Sequence, residues 1–176
     1  SLSLACCARP AEQPTDPPPE IPLPDLEAKP EPEPQLEPEP AGPLNPLTGL
    51  EDGVDEETAA RIPVAVMVSN SYNSLPQWGI SQADILIEMI VEGRITRFMA
   101  LFQNPAKLEA LGSVRSARPY FIDLAQGFEA AYLHFGGSVP AYDLIGRRKD
   151  LIDMDGIRGG YEGSLYVRDA SRRKSV

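Results

Sequence analysis

The sequence contains few of the residues on which common enzyme chemistry depends. Its only two cysteines are Cys6 and Cys7, so the rest of the chain can form neither a disulfide framework nor a thiolate metal site. His134 is the only histidine. A Ser-His-Asp triad would have to use it, and no nucleophile-elbow sequence is present. These shortages favour binding over catalysis, and no cofactor is predicted.

Positive charge is also scarce. The formal net charge is −10. Residues 8–47 and 51–57 together hold two bases and fourteen acids, a net of −12, which leaves +2 for the remaining residues of the body. So small an excess gives no basic surface, and the acidic segments repel phosphate, so nucleic acid is not a predicted ligand.

The first seven residues resemble the opening of a bacterial lipoprotein precursor. Ser1–Ala5 is interpreted as the remainder of a signal peptide, and the small residue Ala5 precedes Cys6, the predicted lipidation site. Cys7 is the alternative, because Leu4 would then occupy the position where such motifs usually carry leucine. Either choice predicts attachment to the outer face of the cytoplasmic membrane.

A proline- and glutamate-rich tract follows the cysteines. Fourteen of the nineteen prolines fall within residues 8–47, and each fixes φ and removes a hydrogen-bond donor, which predicts a disordered linker. Alternating Pro and Glu at 30–34 and 37–40 favours polyproline II, at about 3.1 Å per residue and a reach of roughly 100 Å. A spacer is the preferred interpretation. A docking site for a proline-reading module is the alternative.

Residues 48–176 are predicted to form one α/β domain. Ile62–Val68 is apolar on both faces, which indicates a buried strand. Two apolar runs flank the Glu92-Gly93 turn and predict a β-hairpin, Ala83–Val91 with Arg94–Phe102. A short helical stretch is expected between Pro105 and Leu111.

The next segment is predicted to alternate strand and helix. The elements are a brief strand at Gly112–Arg115, a helix capped by Ser116, a strand at Ala130–Phe135, and a helix at Pro140–Arg147. This order implies parallel pairing by right-handed crossover, so the complete sheet is expected to be mixed. After Asp150 the pattern weakens into short strands such as Ser164–Val167, and the domain is expected to be incomplete at its C-terminus.

Two turns should meet at the carboxyl edge of this sheet, where α/β folds bind ligands. One follows Arg115 at a predicted helix N-terminus, where free N–H groups and the helix dipole favour an anion. The other follows Phe135. The predicted anion site comprises Arg115, Ser116, Arg118, His134, Gly136, Gly137 and Ser138.

Plainer interpretations stay open for these residues. The arginines could pair with Glu88, Glu92 or Asp123, and the glycine pair could be a tight turn without a ligand. In the triad alternative, His134 would act with Ser138 or Ser116 and with Asp123 or Asp143.

Carboxylates of the hairpin offer a weaker alternative site. Asp84, Glu88 and Glu92 could hold a hard cation, because alternate residues of a strand share a face. The preferred interpretation assigns no metal and pairs the glutamates with Arg94 and Arg97 across the hairpin.

Three separated motifs give the sequence a family resemblance. They are residues 77–85 (QWGISQADI), 92–98 (EGRITRF) and 114–121 (VRSARPYF). The body resembles the YerB family of bacterial lipoproteins, largely from Gram-positive bacteria, in which the domain has no known function. The resemblance implies lipidation and a further C-terminal half, and Arg94 stands where the family usually has a second glycine.

The predicted function is therefore a lipid-anchored binding or scaffolding module of the cell envelope that holds an anionic group near Arg115 and Arg118. A cell-envelope enzyme acting on phosphorylated or glycan substrates is the alternative, with the same arginines as clamp and Asp84 or Glu88 as base or metal ligand. A protein partner at the hairpin edge is a third possibility, which an exposed unpaired strand would indicate.

Overall fold

A computed structural model describes residues 42–52 and 54–170. The predictions for Cys6 and Cys7, for most of the linker and for the last six residues lie outside this range. Among the described residues, no helix has the length and apolar character required to cross a bilayer.

Five strands form one mixed sheet in the order β2-β3-β1-β4-β5. They are β1 Val64–Ser69, β2 Ile85–Ile90, β3 Thr96–Phe102, β4 Ala131–His134 and β5 Asp153–Asp155. β3 pairs antiparallel with β1 and β2, whereas β4 pairs parallel with β1 and β5. The predicted α/β class, the mixed sheet and the β-hairpin are confirmed.

Two helices pack against one face of this sheet. They are α2 Pro119–Gly127 and α3 Val139–Arg147, and a short α1, Glu56–Ala59, precedes β1. Apolar residues of both longer helices share a core with alternate residues of the strands: Phe121, Ile122 and Ala141 with Ala65, Met67, Met99, Leu101 and Tyr132. Burial of such side chains is the main source of stability for a domain of this size.

Loops, not helices, cover the second face. Val66, Val68, Ala100 and Phe102 point to this side, because strand side chains alternate. They are partly covered by residues of the loops after β1 and β3, which include Ile80, Leu108, Leu111 and Val114. Because loops pack less closely on this face than helices would, a groove can form between them.

The strand β2 lies at one edge of the sheet within the described residues. Its burial alternates residue by residue, and Leu86 and Ile90 are among its exposed positions. In the turn to β3, Gly93 has a φ of 73° and Arg94 a φ of 59°. Both values lie in the left-handed region that glycine adopts at no steric cost.

Three predicted elements differ from the structure, and one strand was missed. The strand predicted at Gly112–Arg115 is reduced to isolated bridges at Gly112 and Val114. The helix expected up to Leu111 is one 3-10 turn, Pro105–Lys107. In place of a strand at Ser164–Val167 there is a single bridge between Glu162 and Tyr166, and β5 was not predicted at all. Short segments of this kind are set by their neighbours more than by their own propensity.

Candidate functional site

The two predicted turns do meet at the carboxyl end of β4. Ala117 and Gly137 form a parallel bridge, in which Ala117 N donates to Gly136 O at 2.8 Å and Ser138 N donates to Ala117 O at 3.3 Å. Phe135 N donates to Arg115 O at 3.1 Å. The segments 115–118 and 135–138 therefore run side by side, as the topology predicted.

Most donors of this corner already have internal partners. The Ser116 hydroxyl donates to Phe135 O at 3.1 Å, and Gly136 N donates to Asp155 Oδ1 at 2.9 Å. The Ser138 hydroxyl is the N-cap of α3 and accepts from Ala141 N at 3.3 Å. The N-cap of α2 is Arg118, without a side-chain cap, so the prediction that Ser116 caps this helix is wrong. Pro119 and Pro140 remove one N–H from each first turn. Few free donors remain for an anion at either helix N-terminus.

Arg118 is held by an ion pair. Its Nε lies 2.7 Å and 2.9 Å from the two carboxylate oxygens of Glu92. This hydrogen bond lowers the pKa of Glu92 to about 2. The alternative of a structural ion pair thus applies to Arg118, and a second guanidinium, Arg97, lies buried behind the corner and donates to Ser116 O. Burial lowers the pKa of Arg97.

Arg115 differs from both of these arginines. Its backbone is fixed, since Arg115 N donates to Met67 O at 2.9 Å, but its side chain is exposed and has no hydrogen-bond or ion-pair partner among residues 42–52 and 54–170. A guanidinium that is positioned by a rigid backbone and has its five donors unused is suited to an anionic group.

His134 belongs to a buried polar cluster that sequence reasoning missed. It is fully buried on β4, its Nδ1 donates to Gly136 O at 2.7 Å, and its Nε2 lies 2.6 Å from Asp153 Oδ1. A carbonyl oxygen only accepts, so Nδ1 is the donor of the first hydrogen bond, and Nε2 is engaged by the Asp153 carboxyl group. Both ring nitrogens are therefore occupied.

Asp155 completes this cluster, which we call the β4–β5 polar cluster: His134, Asp153, Asp155 and Tyr142. Only 1% exposed, Asp155 accepts from Gly136 N, Ile157 N and the Tyr142 hydroxyl at 2.9 Å, 3.0 Å and 2.9 Å. Burial pushes the pKa of Asp155 upward, but these hydrogen bonds outweigh it and hold the pKa below its usual value. The cluster joins β4, β5 and α3.

The side chains considered for a triad have other partners. Ser116 and Ser138 make the contacts described above, and Asp123 accepts from Arg148 at 2.6 Å. No Ser-His-Asp arrangement is formed by them, because His134 contacts Asp153 and Asp155 instead.

The hairpin carboxylates are likewise separated. Asp84 accepts from Asn45 and from the Gln103 backbone, at 2.8 Å and 2.6 Å, and Glu88 accepts from Asn70 and Thr96, at 2.9 Å and 2.5 Å. Within the described ranges, no group of three or more acidic, histidine or cysteine side chains could hold a metal ion. The expected pairing of Glu88 and Glu92 with Arg94 and Arg97 is not formed either.

A groove of about 700 Å³ opens on the loop-covered face of the sheet. It combines aromatic, aliphatic and cationic side chains from four segments of the chain, among them Trp78, Leu111, Val114, Arg115, Phe135 and Arg168. The Phe135 ring packs edge-on against Tyr166 at 5.7 Å between centroids, and the Arg168 guanidinium lies 5.1 Å from the centre of the same ring. We call this feature the Arg115 groove.

Comparison with known proteins identifies the family. A family model described as "Protein of unknown function (DUF3048) N-terminal domain" matches residues 47–175. The chain belongs to the DUF3048 family. It is 43% identical over 124 residues to the Bacillus subtilis protein named "Putative lipoprotein YerB", which covers 70% of this chain and 35% of that protein. The resemblance found in the sequence motifs is confirmed.

A solved structure of this family shares the fold. The crystal structure of the YerB protein from Bacillus subtilis is 40% identical, with a TM-score of 0.66, over 73% of this chain and 42% of that one. The DUF3048 chain thus spans about a third of the length of the curated relative that it matches. The positive φ of Arg94 explains why the family resemblance places a glycine there.

Proposed function

We propose that this DUF3048 chain is a lipid-anchored binding module on the outer face of the cytoplasmic membrane, and that Arg115 binds an anionic group of its ligand. The observation that carries the proposal is the Arg115 guanidinium on the wall of a groove, where no described residue pairs with it. The lipoprotein-like opening at Cys6 and the relative named a lipoprotein support the anchored location.

Binding is favoured over catalysis by the contacts of the titratable groups. His134 has both ring nitrogens engaged, and the candidate bases Asp84 and Glu88 each accept two hydrogen bonds. Of the arginines predicted to clamp the anion, Arg118 is neutralised by Glu92, so Arg115 carries the proposed role. Arg168 in the same groove pairs with Glu162 at 2.6 Å and contributes less.

The proposal is tested by titrating the full 176-residue chain with inorganic phosphate and pyrophosphate. Trp78 is the only tryptophan and lines the groove, so its fluorescence reports binding there, and calorimetry gives the affinity. Loss of one charge-assisted contact costs about 1.5–3 kcal/mol, so Arg115→Ala should weaken binding roughly 10- to 100-fold.

Arg147→Ala is the matched control. Arg147 is an exposed arginine in the last turn of α3 and does not line the groove, so its removal changes the net charge equally and should leave the affinity unchanged. If both substitutions weakened phosphate binding equally, the loss would reflect the net charge of the protein and not a contact with Arg115. Absence of binding in the unsubstituted chain would reject the role of Arg115.

A further inference from the structure

We infer that the ligand of the Arg115 groove is an anionic amphiphile, a single molecule with one anionic head and an apolar chain. This inference rests on the proposed function and extends it from the head to the whole ligand. The head is assigned to Arg115. The chain is assigned to the apolar wall of the groove, which is formed by Trp78, Leu111, Val114, Leu165 and Val167.

The groove has two chemically different ends. At one end, the carbonyl of Arg115 accepts from Phe135 N, and the Arg168 guanidinium lies over the Phe135 ring, so the Arg115 backbone and the Arg168 charge lie beside Phe135. At the other end, Trp78 and Gly112 exchange backbone hydrogen bonds of 2.9 Å and 3.2 Å, and both Trp78 and Leu111 line the groove there. Charge and apolar surface are thus arranged along one groove.

The acidic residues of the lining fit the same orientation. Glu109 lines the groove and precedes Ala110, whose carbonyl oxygen would lie 2.3 Å from a Cβ at Gly79, so this acidic residue belongs to the segment beside Trp78. A negative head at that end would be repelled, whereas at the Phe135 end it meets Arg115. Asp169 also lines the groove but already has an interaction partner.

The apolar wall is exposed and its floor is fixed. Trp78 is 42% exposed, Leu165 45% and Val167 83%, values that leave apolar surface for a ligand to cover. The Phe135 ring is confined, since a Cβ at Gly156 would lie only 2.3 Å from it. Inorganic phosphate would leave this apolar surface in water, so a ligand with an apolar chain uses the groove more fully.

The membrane is the natural source of such molecules. A lipid anchor at Cys6 or Cys7 would hold the body near a bilayer, where lipids and lipid-linked compounds combine an acyl chain with a phosphate or carboxylate. All of these molecules share an anionic head and an apolar chain, and water-soluble analogues with a short alkyl chain contain both parts.

The test compares octyl phosphate, octanoate, octanol and inorganic phosphate on the full 176-residue chain, with the two amphiphilic anions kept below their critical micelle concentrations. Burial of about half of the octyl chain should make octyl phosphate roughly 100-fold tighter than inorganic phosphate. Arg115→Ala should weaken octyl phosphate and octanoate about tenfold without changing the weaker binding of octanol. Calorimetry and Trp78 fluorescence measure both effects.

A second substitution separates the apolar wall from the head site. Leu165→Ser with Val167→Ser, at exposed positions that the fold tolerates, should weaken octyl phosphate about tenfold and leave inorganic phosphate unchanged. Ile90→Ser is the control, because this residue is 74% exposed on β2, outside the groove.

The outcomes distinguish the two proposals. If octyl phosphate bound no tighter than inorganic phosphate and both depended on Arg115, the inference of an amphiphilic ligand would be overturned. The proposed function would then stay intact. Failure of every phosphate and carboxylate probe to bind would overturn both. Binding to vesicles of an anionic phospholipid without binding of monomeric octyl phosphate would mean association with the membrane surface and would also overturn the groove ligand.

Discussion

At the scale of single residues, Asp155 connects protonation to stability. Its carboxylate accepts three hydrogen bonds, from the turn after β4, from α3 and from the residues after β5, and these hold its pKa below the usual value of 3.8. A carboxyl group with a lower pKa in the folded protein than in the unfolded chain stabilises the fold at neutral pH. That contribution is lost as the pH falls through the folded pKa.

We therefore expect the free energy of unfolding to fall as the pH is lowered from about 4 through the folded pKa of Asp155. Asp155→Asn should remove about 1–3 kcal/mol at pH 7, because the charged acceptor is lost, and should flatten this acid limb. Urea unfolding at several pH values measures both. Asp143→Asn, at an exposed position of α3, is the control. An acid limb that is unchanged in Asp155→Asn would contradict the assignment of this limb to Asp155.

The ion pair of Glu92 and Arg118 illustrates a smaller effect. The pKa of Glu92 falls to about 2, yet its side chain is 66% exposed, so solvent screens most of the interaction. Exposed pairs contribute about 0–1 kcal/mol. The pair therefore contributes little to stability. Its main consequence is that the Arg118 guanidinium is engaged by Glu92 and is not available to a ligand.

At the scale of elements, the end of α2 departs from the preferred sequence of its own motif. Glu129 N donates to Gln126 O and Ala130 N donates to Ala125 O, both at 2.9 Å, which is the Schellman pattern. Glu129 has a φ of 51°, in the region where glycine is favoured. The hydrogen bonds of the motif are formed, but Glu129 adopts a left-handed conformation in which its Cβ is sterically disfavoured.

Glu129→Gly should raise the free energy of unfolding by about 1 kcal/mol, since it removes the left-handed penalty at an exposed position. Glu129→Ala is the matched variant: it deletes the same charged side chain but keeps the Cβ, and should change stability little. Thermal and denaturant unfolding measure the difference. Equal effects of the two substitutions would show that the side chain, and not the backbone, is responsible.

The elements that sequence patterns predicted are those whose apolar residues recur regularly. The strands β1, β3 and β4 have runs of apolar side chains because most of their residues are buried, and β2 alternates between less and more exposed residues. The helix α2 carries its buried apolar residues on one face. β5 has the sequence Asp-Met-Asp because its inward residues bind His134 and Tyr142 instead of filling an apolar core. No local pattern marks such a strand.

At the scale of the whole molecule, the candidate site was predictable only in part. The meeting of residues 115–118 with 135–138 follows from parallel β topology, which the strand and helix order indicated. The groove requires Trp78 and Arg168, which are ninety positions apart in the chain and come together only through loops. The engagement of Arg118 by Glu92 is equally nonlocal, so the sequence could name both residues but could not decide between ion pair and ligand site.

The proposed lipid anchor would decide whether this domain encounters membrane amphiphiles at all, and it can be tested independently of the groove. Expressed behind a lipoprotein signal peptide, the protein should enter the detergent phase on Triton X-114 partition, because two acyl chains at about 0.8 kcal/mol per buried methylene suffice for stable attachment. Cys6→Ala should move it to the aqueous phase, whereas Cys7→Ala should not. Release by Cys7→Ala alone would assign lipidation to the second cysteine. Retention of the double variant Cys6→Ala/Cys7→Ala would contradict lipid anchoring through either cysteine, while unchanged thermal unfolding in all variants would show that the body itself is unaffected.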